Sequence, residues 1–262
     1  MVADSPPLWL WPNLLALDAP IIAVVWQRFV SSAAGIDAPL AATVTLALVV
    51  WGVYLTDRCL DARPGRATCT DRHQFASRNP QIMAGLAMCV LATAGAFAAV
   101  ELPVSYLISG GVVAVVLAGY FAAVHLVRAT GAWVGGLKEF AVGVVFAAGA
   151  SVPLLAEAHP TVWGWAPGVI AFGGLCVLNC LLISRWEEPP TAAPWGGMCL
   201  AAGSIAVASA LAADSPVAIA VLAGVGLLTG LHLARAWFST RALRVLADVV
   251  LLTPLGVVGT WG

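Results

Sequence analysis

The chain is built from long apolar runs separated by short polar breaks. Nine runs of about 17 to 24 residues carry few charged side chains, and about 20 such residues are needed to cross a bilayer as a helix. Proline, glycine and aspartate are concentrated in the breaks, where they end helices. The pattern predicts nine membrane-spanning helices, at residues 14–30, 38–54, 81–100, 104–127, 136–156, 163–184, 194–212, 216–234 and 245–261.

Composition supports the same class of protein. Of 262 residues, 61% are hydrophobic and 10% are charged, whereas a soluble domain is about 25% charged. The mean hydropathy is +0.95. These values exclude a soluble enzyme, a secreted disulfide scaffold and a disordered chain, and the net charge of -1 argues against a nucleic-acid partner. We expect an all-α polytopic membrane protein, a nine-transmembrane-helix bundle that forms a single domain over residues 1–262.

The basic residues predict the orientation of this bundle. Eleven of the twelve lysine and arginine residues fall in or at the edge of the loops after spans two, four, six and eight, and Arg28 is the exception. Because basic loops stay on the cytoplasmic side, we expect the N-terminus and these loops in the cytoplasm and the C-terminus on the opposite side. The predicted location is the cytoplasmic membrane of a bacterium.

The first group of polar residues follows span two. Asp57 and Asp61 are four residues apart, so both carboxylates share one face if the helix continues to Asp61, with Tyr54 one turn earlier. Mg²⁺ is usually held by one or two carboxylates together with phosphate oxygens, so the pair is a candidate metal site. The alternative is a solvated loop in which each aspartate pairs locally with Arg58 or Arg63.

Basic residues at the same predicted cytoplasmic face suit an anionic ligand. Arg72 and His73 follow the two aspartates, Arg128 closes span four and Lys138 opens span five. Arginine binds phosphate with two parallel hydrogen bonds. The alternative is that Arg72 and His73 set topology and contact anionic lipid headgroups.

A second group of polar residues ends span six. Asn179 and Glu187 are eight residues apart and fall on one helical stripe, with Glu188 next to Glu187. A polar residue within an apolar span tends to face the bundle interior, although a helix–helix hydrogen bond is the other explanation for Asn179. Asp18 at span one and Asp248 at span nine lie at the same predicted face, and Asp248 can pair with Arg244 one turn earlier.

Short motifs resemble those of the UbiA-type intramembrane prenyltransferase superfamily. The segment Leu17-Asp18-Ala19-Pro20 is similar to the family's opening L-D-K-P, and Asp57-Arg58-Cys59-Leu60-Asp61 resembles the end of N-D-x-x-D-R-x-x-D. Val53 and Tyr54 stand where that motif has Asn-Asp. Three further stretches are similar to family segments: Thr70 with Arg72 and His73, Arg128-Ala129-Thr130, and residues 179–188 in the place of the second acidic motif.

The resemblance implies a nine-helix transferase that moves a prenyl group from an allylic prenyl diphosphate to a hydrophobic acceptor in the membrane. It implies Mg²⁺ as the cofactor, with Asp57, Asp61, Glu187 and Glu188 as ligands. Arg72, Arg128 and Lys138 would join the two aspartates in catalysis by binding diphosphate. The expected substrate-binding residues are Tyr54, Asp18, His73, Asn179 and Asp248.

Two other functions stay open from the sequence. A divergent member of the same fold would bind prenyl lipids without catalysis, which the missing Asn-Asp pair favours. A small-solute transporter would line its path with Asp18, Asn179 and Asp248.

Overall fold

A computed structural model of the chain describes residues 9, 11–61, 80–129, 136–157, 162–187, 195–213 and 215–258. Every regular element in these ranges is a helix, which confirms the all-α prediction for this part of the chain. The helices group into two compact units: unit 1 is Met1–Val24 with Pro39–Leu102, and unit 2 is Val25–Ala38 with Pro103–Gly262.

Unit 1 is organised around a pair of long apolar helices. It contains α1 (Trp11–Leu14), the start of α2 (Asp18–Ala33), α3 (Leu40–Asp61) and α4 (Pro80–Glu101). Helices α3 and α4 pack against each other, with Leu55, Met83 and Ala87 in the core between them. The indole N–H of Trp51 donates to the carbonyl of Leu15 at 2.9 Å. This hydrogen bond links the connection between α1 and α2 to α3.

Unit 2 surrounds one central helix. After the end of α2 it contains α5 (Val104–Ala129), α6 (Leu137–Ala150), α7 (Val152–Ala156), α8 (Val162–Glu187), α9 (Trp195–Ala210), α10 (Ser215–Leu233), a 3-10 turn (Arg235–Trp237), α11 (Thr240–Val250) and α12 (Thr253–Val258). Helix α8 packs against α6, α9, α10 and α11. Its Phe172 ring stacks on Trp26 of α2 with centroids 4.0 Å apart.

Small residues bring the helices of unit 2 close to α8. A Cβ atom on Gly143 of α6 would lie 2.7 Å from the backbone nitrogen of Val177, and one on Gly174 would lie 3.0 Å from the backbone nitrogen of Ala206 on α9. Without a hydrophobic drive between helices in lipid, close backbone packing of this kind holds such bundles together.

Four helices in the described ranges are long and apolar enough to cross a membrane. They are Leu40–Leu60, Pro80–Glu101, Gly164–Glu187 and Pro216–Leu233, and shorter apolar stretches cover Val104–Tyr120 and Trp195–Ala210. Each of the nine apolar runs is at least partly helical. The number of nine spans itself stays a prediction.

Two of the predicted spans are divided into shorter helices. The run at 136–156 is interrupted at Ser151, between α6 and α7, and the run at 245–261 is interrupted after Val250, between α11 and α12. Pro153 and Pro254 follow these breaks, and proline clashes with the carbonyl four residues earlier in a helix. Helix α11 also begins at Thr240, five residues before the predicted span, because the Ser239 hydroxyl oxygen accepts from the Ala242 N–H at 3.3 Å and caps it.

Candidate functional site

The first acidic pair lies at the C-terminal end of α3. This helix runs to Asp61, as the shared-face prediction for Asp57 and Asp61 requires. Tyr54 and Asp57 are half-buried, and the side chain of Asp61 lies outside the described residues. Arg58 between them is buried and donates to the carbonyl of Leu14 at 2.6 Å, so it ties this end of α3 to α1.

Asp18 has a structural role that its motif did not indicate. It begins α2, and its carboxylate accepts from the Asn13 side chain at 2.6 Å and from the Ala19 N–H at 2.9 Å. An acceptor at a helix start satisfies a backbone N–H that has no partner within the helix. Asn13 was missed from the sequence because it lies outside the apolar runs and in no recognised motif.

In unit 2 the stripe on α8 faces α11. Asn179 is 4% exposed, and its side-chain amide donates to the Asp248 carboxylate at 3.4 Å. No hydrogen-bond donor among the described residues reaches its Oδ1 atom. The structure therefore brings together two predicted substrate-binding residues from different helices.

The second contact between these helices is an ion pair. The Glu187 carboxylate lies 2.5 Å from the Arg244 guanidinium, and the two side chains are 15% and 9% exposed. The pairing of Arg244 with Asp248 one turn away stays a prediction, and the ion pair with Glu187 crosses from α11 to α8. A carboxylate neutralised by a buried guanidinium is a weaker candidate metal ligand than a free one.

The start of α6 joins the same end of α8. The Ser184 hydroxyl donates to the Glu139 carboxylate at 2.8 Å. The neighbouring Lys138 is half-buried, and its carbonyl accepts from the Tyr120 hydroxyl at 3.4 Å. Lys138 thus belongs to the helix end that contacts the C-terminal turn of α8.

A histidine that the sequence reasoning missed completes this arrangement. The indole N–H of Trp186 donates to Nδ1 of His232 on α10 at 3.1 Å. His232 ends an apolar run at the predicted cytoplasmic face, and that position was the signal that could have identified it. We call the side chains of Glu139, Asn179, Ser184, Trp186, Glu187, His232, Arg244 and Asp248 the α8 polar cluster.

Several predicted site residues lie outside the described part of the chain. Arg72, His73 and Glu188 are among them, and so is the side chain of Arg128, whose backbone belongs to α5. Within the described residues of either unit, no three histidine, cysteine, aspartate or glutamate side chains are grouped so as to hold a metal ion.

Comparisons of the chain with protein-family models, curated proteins and solved structures found no match. The structure itself defines the class: a helical protein whose apolar helices suggest membrane association.

Proposed function

We propose that the chain is a UbiA-type prenyltransferase that moves a prenyl group from an allylic prenyl diphosphate to a lipid-soluble acceptor in the membrane. The observation that carries the proposal is the α8 polar cluster, in which α6, α10 and α11 each place a polar side chain on the C-terminal half of α8. Polar and ionisable groups are costly in lipid and mark ligand sites there.

In this reaction the allylic C–O bond breaks and its electron pair leaves with the diphosphate. Cationic side chains stabilise the charge that develops on the leaving group. Among the basic residues of unit 2 we propose Lys138 and Arg244 for this role, and Arg72 and Arg128 are the further candidates. The acceptor then forms a bond to the allylic carbon and loses a proton, while the apolar helices exclude water.

The metal ligands we propose are the two aspartates of α3. Asp57 and Asp61 lie one turn apart on one helix face, which fits the one or two carboxylates that Mg²⁺ takes from a protein. Mg²⁺ held by these two carboxylates would supply Lewis-acid stabilisation to a diphosphate. We assign Glu187 to holding Arg244 in place rather than to the metal, because its carboxylate already lies against that guanidinium.

The direct test is turnover of a labelled allylic prenyl diphosphate by the purified protein with Mg²⁺. We expect diphosphate release and prenyl transfer to membrane lipids in the wild type, and a loss of about 100-fold in Asp57→Asn. Asp37→Asn is the matched control, since the Asp37 side chain is 99% exposed and its carboxylate lies 3.7 Å from Arg28. Equal turnover in the wild type and Asp57→Asn would refute the site.

A second candidate is a prenyl-lipid-binding protein of the same fold without catalysis. The Glu187–Arg244 pair favours it, because it removes one acidic group from the proposed metal set. This function predicts binding of a fluorescent prenyl diphosphate that is unchanged by EDTA, with no diphosphate released.

The membrane and its orientation belong to the same proposal. We place the protein in the cytoplasmic membrane of a bacterium, with the N-terminus and the polar loops in the cytoplasm and the C-terminus on the other side. The support is the distribution of basic residues along the chain together with the four long apolar helices.

A further inference from the structure

The connection between α10 and α11 displays large apolar side chains in a fixed conformation. In residues 233–241, here called the aromatic–arginine segment, Leu233 is 75% exposed and Trp237 is 85% exposed. The backbone is held by hydrogen bonds, from the Trp237 N–H to the Ala234 carbonyl at 3.0 Å and from the Ala242 N–H to the Ser239 hydroxyl at 3.3 Å. The segment is therefore built to present these side chains outward.

Its position along the chain corresponds to a membrane–water interface. A candidate membrane span ends at Leu233, and Trp237 follows four residues later. Tryptophan is enriched at headgroup level, where its ring meets apolar chains and its N–H stays hydrated.

The charged residues of the aromatic–arginine segment favour an anionic lipid. Arg235 and Arg241 are both exposed, and residues 215–247 contain no aspartate or glutamate. Arg235 donates one hydrogen bond to the His232 carbonyl at 3.0 Å, and a guanidinium has five N–H donors in total. Arginine recognises phosphate with paired hydrogen bonds, and anionic leaflets attract such residues within a Debye length.

We propose that the aromatic–arginine segment docks on anionic phospholipid headgroups. Leu233 and Trp237 enter the interface, while Arg235 and Arg241 bind lipid phosphate groups. The segment is flanked by His232 and Arg244, which both contact α8. The lipid contact therefore stabilises the packing of α10 and α11 on α8, independently of any reaction at the α8 polar cluster.

Thermal unfolding in lipid nanodiscs tests the arginines. For the wild type, replacing half of the phosphatidylcholine by phosphatidylglycerol should raise the Tm by about 4–8 °C at low salt. The shift should shrink in high salt. In the R235Q/R241Q variant the Tm shift caused by phosphatidylglycerol should fall by at least half. The control is R28Q on α2, which should retain the shift. A full wild-type shift in R235Q/R241Q would overturn the proposal.

A second measurement follows Trp237 in the wild-type fold. With fluorotryptophan incorporated, the ¹⁹F resonance of Trp237 is identified by its loss in W237F. A headgroup spin-labelled phosphatidylglycerol should broaden this resonance strongly. Broadening only by a water-soluble paramagnetic complex would overturn the proposal and indicate a surface open to a soluble partner.

Discussion

Arg244 lies against an acidic side chain of another helix. Its guanidinium is 2.5 Å from the carboxylate of Glu187 on α8, and Asp248, one turn further along α11, accepts from Asn179. Neighbours at four-residue spacing stabilise a helix weakly. A cross-helix pair also fixes how two helices meet, and removing one member leaves a buried charge without compensation.

The first prediction is that the two members of this pair are strongly coupled. Arg244→Met should lower the free energy of unfolding by about 3–5 kcal/mol, because the Glu187 carboxylate, which is 15% exposed, loses the guanidinium that lies against it. The Glu187→Met/Arg244→Met double variant should be more stable than Arg244→Met alone. Unfolding by SDS titration in mixed micelles measures both values.

The matched control is the exposed pair of Arg28 with Asp37, whose side chains are 49% and 99% exposed. Arg28→Met should lower the free energy of unfolding by less than about 1 kcal/mol, because exposed ion pairs contribute little to stability. Purely additive losses in the Glu187 and Arg244 variants would show that the two side chains are not coupled.

At the scale of the helix, α8 determines how unit 2 is assembled. Its stripe of Asn179 and Glu187 was correctly predicted to lie on one face, since both residues contact α11. Elsewhere along α8 the backbones of neighbouring helices come close to it: α6 at Gly143, and α9 at Gly174 of α8 itself. The sequence indicates many glycines in apolar runs but does not indicate which of them meet another helix.

The second prediction concerns the crossing of α6 and α8. Gly143→Ala should destabilise the protein by about 1–3 kcal/mol, because the added methyl group overlaps the Val177 backbone and the helices must separate. Gly110→Ala on α5 is the control, since its Cβ meets nothing within 4 Å. It should be neutral or slightly stabilising, as alanine favours helix.

Thermal unfolding of the two alanine variants in the same detergent is the measurement. A Gly143→Ala variant as stable as Gly110→Ala would contradict the close approach of α6 to α8.

At the scale of the whole molecule, few charges are spread over a long apolar chain. Four helices meet the length and hydropathy of a membrane span, and proline residues divide two further apolar runs into shorter helices. The nine-span prediction places the loops alternately on two sides of the membrane. That alternation is open to a direct measurement.

The third prediction is a labelling pattern. In a variant without native cysteines, a single cysteine at Asp37 or Glu101 should react with a membrane-impermeant maleimide in intact cells. A cysteine at Arg235 should react only after the cells are opened, because this loop carries the basic residues that favour the cytoplasm. Labelling of Arg235→Cys in intact cells would refute the predicted topology.

The sequence by itself determined the all-helical class and the apolar segments, because these follow from local periodicity. It made the shared face of Asp57 and Asp61 conditional on a helix that continues past the predicted span, and the structure met this condition because α3 runs to Asp61. The divided spans were missed, although Pro153 and Pro254 are visible, because proline is tolerated in some apolar helices and only the surrounding packing decides whether it breaks one.

Only the tertiary structure decided which polar side chains meet. Three of these contacts join residues that lie 45 to 57 positions apart along the chain: Trp186 with His232, Ser184 with Glu139, and Glu187 with Arg244. Such contacts depend on how α6, α10 and α11 pack around α8, which no local pattern specifies. Hydrophobic periodicity determines which face of each helix is buried. Shape complementarity and close backbone approach determine which neighbouring helix covers that face.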